Sequence, residues 1–192
     1  MYAELNKQIS WYVARAGGLV AWALVTASIL WGLALSTRLI RRRGVPAWLL
    51  DLHKFLGTLA LVFTGVHLFG LWTDNFTHFA WREMFIPMAS VKWRPGAVTW
   101  GVVAMYAMIA IQLTSWIMRV LPRKLWHTIH LSSFPLFAFA TIHGFQSGAD
   151  KGNLLVQWSA LTGGTLVLFL VTFRVLAPRK AQLAEERLAR AA

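Results

Sequence analysis

Five runs of mostly apolar residues, each about as long as a bilayer is thick, constrain this chain more than any other feature of its sequence. They cover residues 17–37, 52–72, 97–118, 125–145 and 154–176. A helix needs roughly 20 apolar residues to cross the hydrocarbon core of a membrane, and a backbone in lipid must satisfy its own hydrogen bonds. The sequence therefore predicts an all-α integral membrane bundle of about five transmembrane helices.

The composition agrees with a membrane protein and excludes several other classes. Of the 192 residues, 57% are apolar and 14% are charged, whereas soluble domains carry about a quarter charged residues. The chain has no cysteine, which rules out disulfides, thiolate-bound iron–sulfur clusters and covalently attached haem. A net charge of +12 would suggest nucleic acid in a soluble protein. Here the charges lie in short clusters between apolar runs, so the expected partner is the lipid bilayer and not nucleic acid.

The basic residues predict how the helices are oriented. Of the 19 Lys and Arg residues, 13 fall on the side that carries residues 38–54, 119–124 and the C-terminal segment, and 6 fall on the other side. Cytoplasmic loops are enriched in Lys and Arg. We therefore predict an outside N-terminus, a cytoplasmic C-terminus and a multi-pass location in a bacterial-type inner or plasma membrane. The second and fourth runs then cross in the same direction.

The chain is interpreted as one domain with two short flanking segments. Residues 17–176 form the transmembrane domain, 1–16 an N-terminal interfacial segment that contains Trp11 and Tyr12, and 177–192 a short basic cytoplasmic tail. The first run is not read as a cleaved signal peptide, because it leads into an arginine cluster typical of a stop-transfer sequence. That cluster is Arg38, Arg41, Arg42 and Arg43.

Four of the six histidines lie in two matched pairs on the second and fourth runs. His53 and His67 are 14 positions apart, and His130 and His143 are 13 apart. These spacings correspond to rises of about 21 Å and 19.5 Å, and 14 steps bring a helix back to within roughly 40° of its starting direction. We predict that both histidines of each run face approximately one side. Because the two runs are parallel, His53 would face His130 near the inside, and His67 would face His143 near the outside.

Two sites of two imidazoles each predict two b-type haems with bis-histidine ligation. Two axial histidines saturate haem iron and favour electron transfer over oxygen binding at the metal. Zinc fits less well, because it prefers four ligands in a tetrahedral array. The alternative is a non-redox membrane protein, such as a transporter or scaffold, whose histidines form structural hydrogen bonds. The absence of Asp and Glu from the centres of the runs weakens a proton-coupled transport function.

Several further residues are weaker candidates. His127 could replace His130 as a ligand but is interpreted as a boundary residue, and His78 is expected to be solvated in the outer loop. Missing side chains at Gly57, Gly65 and Gly144 would let a porphyrin approach the backbone, although ordinary helix packing also uses glycine. Candidate cations for haem propionates are Arg41–Arg43, Lys54, Arg123 and Lys124 on the inside, and Arg82, Lys92 and Arg94 on the outside.

The histidine motifs also resemble a known family. The segment His53-Lys-Phe-Leu-Gly57 with His67, and the segment Leu125-Trp-His-Thr-Ile-His130 with His143, resemble the ferric reductase-like transmembrane domain that is also found in NADPH oxidases. The resemblance covers about residues 52–145. It implies two b haems ligated by the four histidines, with electrons flowing from the cytoplasmic side outward to an acceptor such as ferric iron. The chain is also similar to the haem-binding membrane subunit of bacterial methionine sulfoxide reductase systems, which tends to lack the counterpart of His53.

One departure from the family pattern concerns the electron donor. Relatives that use NADPH directly carry flavin- and nicotinamide-binding domains after the last span, but here about 16 residues follow it, without a glycine-rich phosphate loop. We therefore expect an oxidoreductase component without its own flavin domain, supplied by a separate flavoprotein or by membrane quinol. The alternative function is a quinone-linked haem subunit that feeds a periplasmic reductase of the methionine sulfoxide type.

Overall fold

The computed structural model of the chain describes the backbone of residues 2–36, 47–74, 79–91 and 93–191, and the side chains of 8–36, 47–74, 79–91 and 93–176. Within these ranges the regular structure is entirely helical. The helices are α1 (Tyr2–Ser36), α2 (Ala47–Thr73), α3 (Trp81–Phe85), α4 (Pro95–Trp116), α5 (Arg123–Leu131), α6 (Ser133–Ser147) and α7 (Leu154–Ala191), with a 3-10 turn at Ala149–Gly152. The predicted roles of His78, Lys92 and the arginines at 38–43 lie outside the described residues.

Four helices in the described part of the chain are long and apolar enough to cross a membrane. They are Gln8–Ser36, Ala47–Thr73, Pro95–Trp116 and Leu154–Leu176. Large apolar side chains cover the outside of the bundle, as at Leu155 and Leu168, which are 81% and 68% exposed. Such a surface suits lipid and not water. The prediction of an all-α integral membrane bundle is confirmed, and the chain is a multi-pass membrane protein.

The segment predicted as the fourth of five spans, residues 125–145, is divided into two shorter helices. The division between α5 and α6 falls at Ser132. Pro135 has no N–H to donate to the carbonyl of Leu131, so an unbroken helix would lack a bond there. At the break, the main-chain N–H and the hydroxyl of Ser132 both donate to the carbonyl of Ile129, at 3.0 Å and 2.6 Å. The predicted fourth span is therefore two shorter helices, and neither of them is long enough by itself to cross a membrane.

The two ends of the chain continue membrane helices and form no separate elements. The predicted interfacial segment 1–16 belongs to α1, which is helical from Tyr2, so Trp11 and Tyr12 lie on the first membrane helix itself. The tail 177–192 continues α7 as far as Ala191. The flanking segments are thus extensions of spans along the chain.

The core of the bundle lies where the long helices meet. α1 packs along α2 and also contacts α6 and α7, while α4 packs along α6 and contacts α5. The buried residues at this junction come from five helices: Val25, Ile29, Leu33, Ala60, Ala104, Met108, Leu136, Phe137 and Val167. This arrangement places α1 and α4 directly against the helices that carry the four histidines.

Candidate functional site

The four histidines of α2, α5 and α6 form two separate pairs. The ring centres of His53 and His130 are 5.9 Å apart, with their planes at 73°. The ring centres of His67 and His143 are 6.2 Å apart, with their planes at 77°. The structure therefore brings together the same partners that the spacing and the parallel direction of the two runs predict.

The break at Ser132 is what allows both pairs to form. The interval alone does not place His130 and His143 on one side, because 13 residues at about 100° each leave two side chains of a straight helix about 140° apart. The interruption between α5 and α6, where Ser132 departs from helical geometry, lets the rotation between the two histidines differ from that of a straight helix. His130 and His143 consequently both reach α2, whereas α2 needs no break because 14 residues nearly complete four turns.

Three of the four imidazoles donate a hydrogen bond to a main-chain carbonyl of a neighbouring helix. Nδ1 of His67 donates to Ala14 at 2.7 Å, and Nδ1 of His143 donates to Ala97 at 2.8 Å. Nδ1 of His53 faces Ser28, with the carbonyl at 3.1 Å and the hydroxyl at 3.3 Å. A proton held at Nδ1 leaves the other nitrogen, Nε2, unprotonated and available to a metal.

A glycine lies four residues after each of these carbonyls. The three motifs are Ala14-x-x-x-Gly18, Ser28-x-x-x-Gly32 and Ala97-x-x-x-Gly101. In a helix, residue i+4 covers the carbonyl of residue i, so a missing side chain there exposes the carbonyl to a second donor. A methyl group at Gly18, Gly32 or Gly101 would come within 3.0, 3.1 or 2.7 Å of the histidine ring. These glycines are therefore needed for the close approach of the imidazoles.

His130 is the exception among the four histidines. Its Nδ1 atom is buried and has no hydrogen-bond partner among the described residues. Its ring instead stacks on Trp126, with the ring centres 5.1 Å apart and an angle of 24° between the planes. His127, the alternative ligand, is exposed on the same helix.

The spacing within each pair fits a metal bound between two imidazoles. Two metal–nitrogen bonds of about 2 Å, with about 1.1 Å from each nitrogen to its ring centre, would separate the ring centres by about 6 Å. No group of three or more His, Asp or Glu side chains suited to a metal occurs in the described ranges. Two imidazoles on opposite sides of a planar cofactor fit this donor set better than a tetrahedral zinc ion does.

A cavity of about 240 Å³ surrounds the His67–His143 pair. Its lining is mostly apolar and includes Gly144, a predicted approach site where no atom lies within 4 Å of an added methyl group. Arg15 and Asp150 belong to the cavity lining, and Arg15 donates two hydrogen bonds to the carboxylate of Asp150. This ion pair joins α1 to the 3-10 turn after α6.

The other candidate residues have different surroundings. Gly57 packs against the amide of Gln112, which donates to the hydroxyl of Thr58 at 3.0 Å, and Gly65 has no atom within 4 Å of an added methyl group. Arg94 donates to the carbonyl of Gln146 at 2.5 Å. The side chains of Lys54, Arg82, Arg123 and Lys124 are exposed. None of these described residues makes contacts with a histidine pair as close as those that Ala14 and Ser28 of α1 make with His67 and His53.

The part that α1 plays in the site was not predicted from the sequence. Ala14 and Ser28 are 14 residues apart, as are Gly18 and Gly32, and the same interval separates His53 from His67. Because α1 and α2 are antiparallel neighbours, equal intervals place one motif of α1 beside each histidine of α2. The equality of these intervals is the signal that would have identified the second helix of the site.

Comparison with known proteins identifies the family. The sequence profile described as ferric reductase like transmembrane component matches residues 17–141, which is 125 of the 192 residues. Three of the four histidines lie in the matched range, and His143 lies two residues beyond it. No curated protein and no solved structure matches the chain significantly. The chain belongs to the ferric reductase-like transmembrane component family.

Proposed function

We propose that this protein transfers electrons across a membrane through two b-type haems, one between His53 and His130 and one between His67 and His143. The observation that supports this most directly is the pair of imidazole sites, each with a metal-bridging distance between ring centres. Membership of the ferric reductase-like family is in accord with transmembrane electron transfer. A chain with purely structural histidines has no need of two such matched sites.

The residues of the chain hold and orient the cofactor in this proposal. Haem, when bound, supplies a one-electron iron couple at each pair. The carbonyls of Ala14, Ser28 and Ala97 fix three imidazole rings, and the glycines that follow them allow the rings to sit against the helix backbone. With two histidines per iron, no coordination position is left for oxygen or substrate. The sites therefore carry electrons without binding the acceptor at the metal.

The distribution of charge supports an orientation of the bundle, and the family resemblance implies outward transfer of electrons. The end of the bundle that carries His53 and His130 also carries Lys54, Arg123 and Lys124, and is named the basic end here. Cytoplasmic loops are rich in such residues, so the basic end faces the cytoplasm in a bacterial-type inner or plasma membrane. A flavoprotein or another carrier would supply electrons there, and ferric iron or another outside acceptor would receive them near His67 and His143.

The test of this function is a pyridine haemochrome assay on the detergent-purified chain, expressed with ample haem and normalised to protein. We expect two b haems per chain. One haem would leave one histidine pair without a cofactor and would overturn the two-site proposal. No haem would leave the four histidines as structural groups and would exclude the redox function.

A quinol donor is the second candidate, because of Trp126. Its indole N–H is buried without a partner in the described ranges, and its ring stacks on His130. A quinone carbonyl accepts hydrogen bonds from such donors, so a quinol bound here would lie next to the basic-end site. Rapid haem reduction by a ubiquinol or menaquinol analogue, lost in Trp126→Phe while haem content is kept, would support it. No reduction by either analogue would exclude it.

A further inference from the structure

The two histidine pairs differ in how firmly their imidazoles are held. In the His67–His143 pair, both Nδ1 atoms donate to carbonyls over short distances, 2.7 Å and 2.8 Å. In the His53–His130 pair, one Nδ1 shares a carbonyl and a hydroxyl at 3.1 Å and 3.3 Å, and the other has no partner among the described residues. The difference is a property of the surrounding helices, because all four donors are the same chemical group.

The repeat along α4 indicates which residue causes this difference. α4 contacts both α5 and α6, and the short connection at 117–122 makes it antiparallel to them. His143 lies on Ala97 and Gly101. A step of 14 residues along α4 returns to nearly the same face of this helix, about 21 Å further along and toward the end that carries His130. That step leads to Ile111 and Ser115. These two residues form a fourth motif, Ile111-x-x-x-Ser115, in which serine occupies the position that is glycine in the other three.

The surroundings of Ser115 agree with this register. The Ser115 hydroxyl and Nδ1 of His130 are both buried, and neither has a partner in the described ranges. The carbonyl of Ile111 accepts a hydrogen bond from the hydroxyl of Thr114 at 3.2 Å. The carbonyl of Ile111 thus accepts a second, longer hydrogen bond from a neighbouring hydroxyl, and Ser115 has a side chain at the position where the other three motifs have none.

We propose that Ser115 makes the two haem sites unequal, so that the His53–His130 site has the higher reduction potential and the weaker hold on haem. This inference rests on the proposed function. An imidazole that donates from Nδ1 is a stronger base toward iron, and loss of such a partner lowers metal affinity by about 10–100-fold. Stronger donors stabilise ferric iron, so the His67–His143 site has the lower potential. The cations of the basic end act in the same direction, because they disfavour the more positive ferric state.

This order of potentials has a consequence for transfer across the membrane. An electron that moves outward from the basic end passes from the higher-potential site to the lower-potential site, which is unfavourable in the absence of an electric field. A membrane potential that is negative inside favours outward movement of negative charge. The membrane potential would therefore offset the unfavourable step between the two unequal sites.

The test is the substitution Ser115→Gly in the full-length, haem-loaded protein, with Ser115→Ala as the matched control. Ser115→Gly completes the fourth motif and exposes the carbonyl of Ile111 to His130. We expect it to lower the potential of the His53–His130 couple in an absorbance-monitored redox titration, and to slow haem transfer from that site to apomyoglobin by about 10-fold or more. Ser115→Ala removes the hydroxyl but keeps a side chain beside the carbonyl of Ile111. The reduction potential of the His53–His130 couple should therefore stay unchanged or rise.

The possible results separate this inference from the proposed function. The wild-type couples are assigned with His143→Ala, which keeps only the His53–His130 pair, and with His130→Ala, which keeps only the His67–His143 pair. Two haems with the His53–His130 couple at the lower potential would overturn the inference and leave the function intact. An equal downward shift in Ser115→Gly and Ser115→Ala, or no shift in Ser115→Gly, would also overturn it. Fewer than two haems in the wild-type chain would overturn both.

Discussion

The helix α2 and the broken helix formed by α5 and α6 each bear two histidines, but they place them by different means. α2 is continuous from Ala47 to Thr73, and its 14-residue interval returns the second imidazole to nearly the same face. The interval of 13 residues in the other segment does not, and Ser132 interrupts the helix between the two histidines. Bringing two side chains to one face therefore requires either the right interval or a break that corrects the wrong one.

The continuous helix α2 and the interrupted segment α5–α6 therefore have different roles in the site. A straight helix fixes the distance and angle between its histidines through its own hydrogen bonds, so α2 is the rigid half of the site. The segment α5–α6 depends on the local geometry at one turn, where Pro135 cannot continue the hydrogen-bond ladder. Changes that affect helix rotation should therefore act differently on the two halves.

Removal of single histidines should have the largest effect. We expect His143→Ala and His53→Ala each to lose one of the two haems of the proposed function, because the affected site would keep only one of the two imidazoles that would hold the cofactor. The control is His127→Ala, which lies one turn from His130 but is exposed and should keep both haems. Haem per chain from the pyridine haemochrome assay measures this. Retention of both haems in His143→Ala would show that His143 is not a ligand.

Insertion of one alanine tests the rigidity of the two halves directly. An extra residue after Ala60 rotates the end of α2 by about 100° relative to its start, so we expect loss of one haem. An extra residue after Ser132 enters a turn that is already irregular, and we expect it to keep more haem than the α2 insertion does. The number of haems per chain, from the pyridine haemochrome assay, measures the difference between the two insertions. Equal loss from both insertions would contradict the view that the break absorbs changes in rotation.

Alanine at the glycines that contact the histidines should weaken haem binding without abolishing it. The expected order follows the distance from an added methyl group to the imidazole, so Gly101→Ala at 2.7 Å should act more strongly than Gly18→Ala at 3.0 Å. We expect haem loss to accelerate by about 10–100-fold in Gly101→Ala. Gly164→Ala on α7, where nothing lies within 4 Å, is the control and should leave the rate unchanged. Haem transfer to apomyoglobin provides the measurement, and an accelerated rate in the control would contradict the explanation.

Loss of the ion pair between Arg15 and Asp150 in the cavity lining should have the smallest effect. Asp150→Asn removes the carboxylate that holds Arg15 and so loosens the connection between α1 and the turn after α6. We expect the free energy of unfolding to fall by about 1–2 kcal/mol, between the values typical of exposed and buried pairs. Denaturation in mild detergent gives the value, and haem per chain should stay at two. A loss of one haem would assign Asp150 a more direct part in the site.

The sequence was a good guide to the membrane helices and to the identity of the histidine pairs. Bilayer thickness fixes the length of an apolar run, so α2, α4 and α7 follow from composition alone. The pairing of His53 with His130 follows from two parallel segments with similar intervals. The break at Ser132 was not predicted, although Pro135 is visible in the sequence, because prolines occur within many membrane helices whose neighbours restore the lost bonds.

The hydrogen-bond acceptors of the histidines could not be predicted from the types of residue in the sequence. They are main-chain carbonyls, which every residue has, and only the surroundings decide which of them are exposed. Ala14, Ser28 and Ala97 look like ordinary small residues of membrane helices, and small-x-x-x-small spacing usually indicates helix packing. Their role requires knowledge of which helix lies beside the histidines, and that information belongs to the tertiary structure.

The two motifs of α1 also bear on the order in which the protein assembles. α1 and α2 are adjacent in the chain, so they are synthesised and inserted as a hairpin before α4, α5 or α6 exists. In that hairpin, His53 and His67 already have their carbonyl acceptors from Ser28 and Ala14. The two histidines of α2 can therefore be oriented before their partners on α5 and α6 are synthesised.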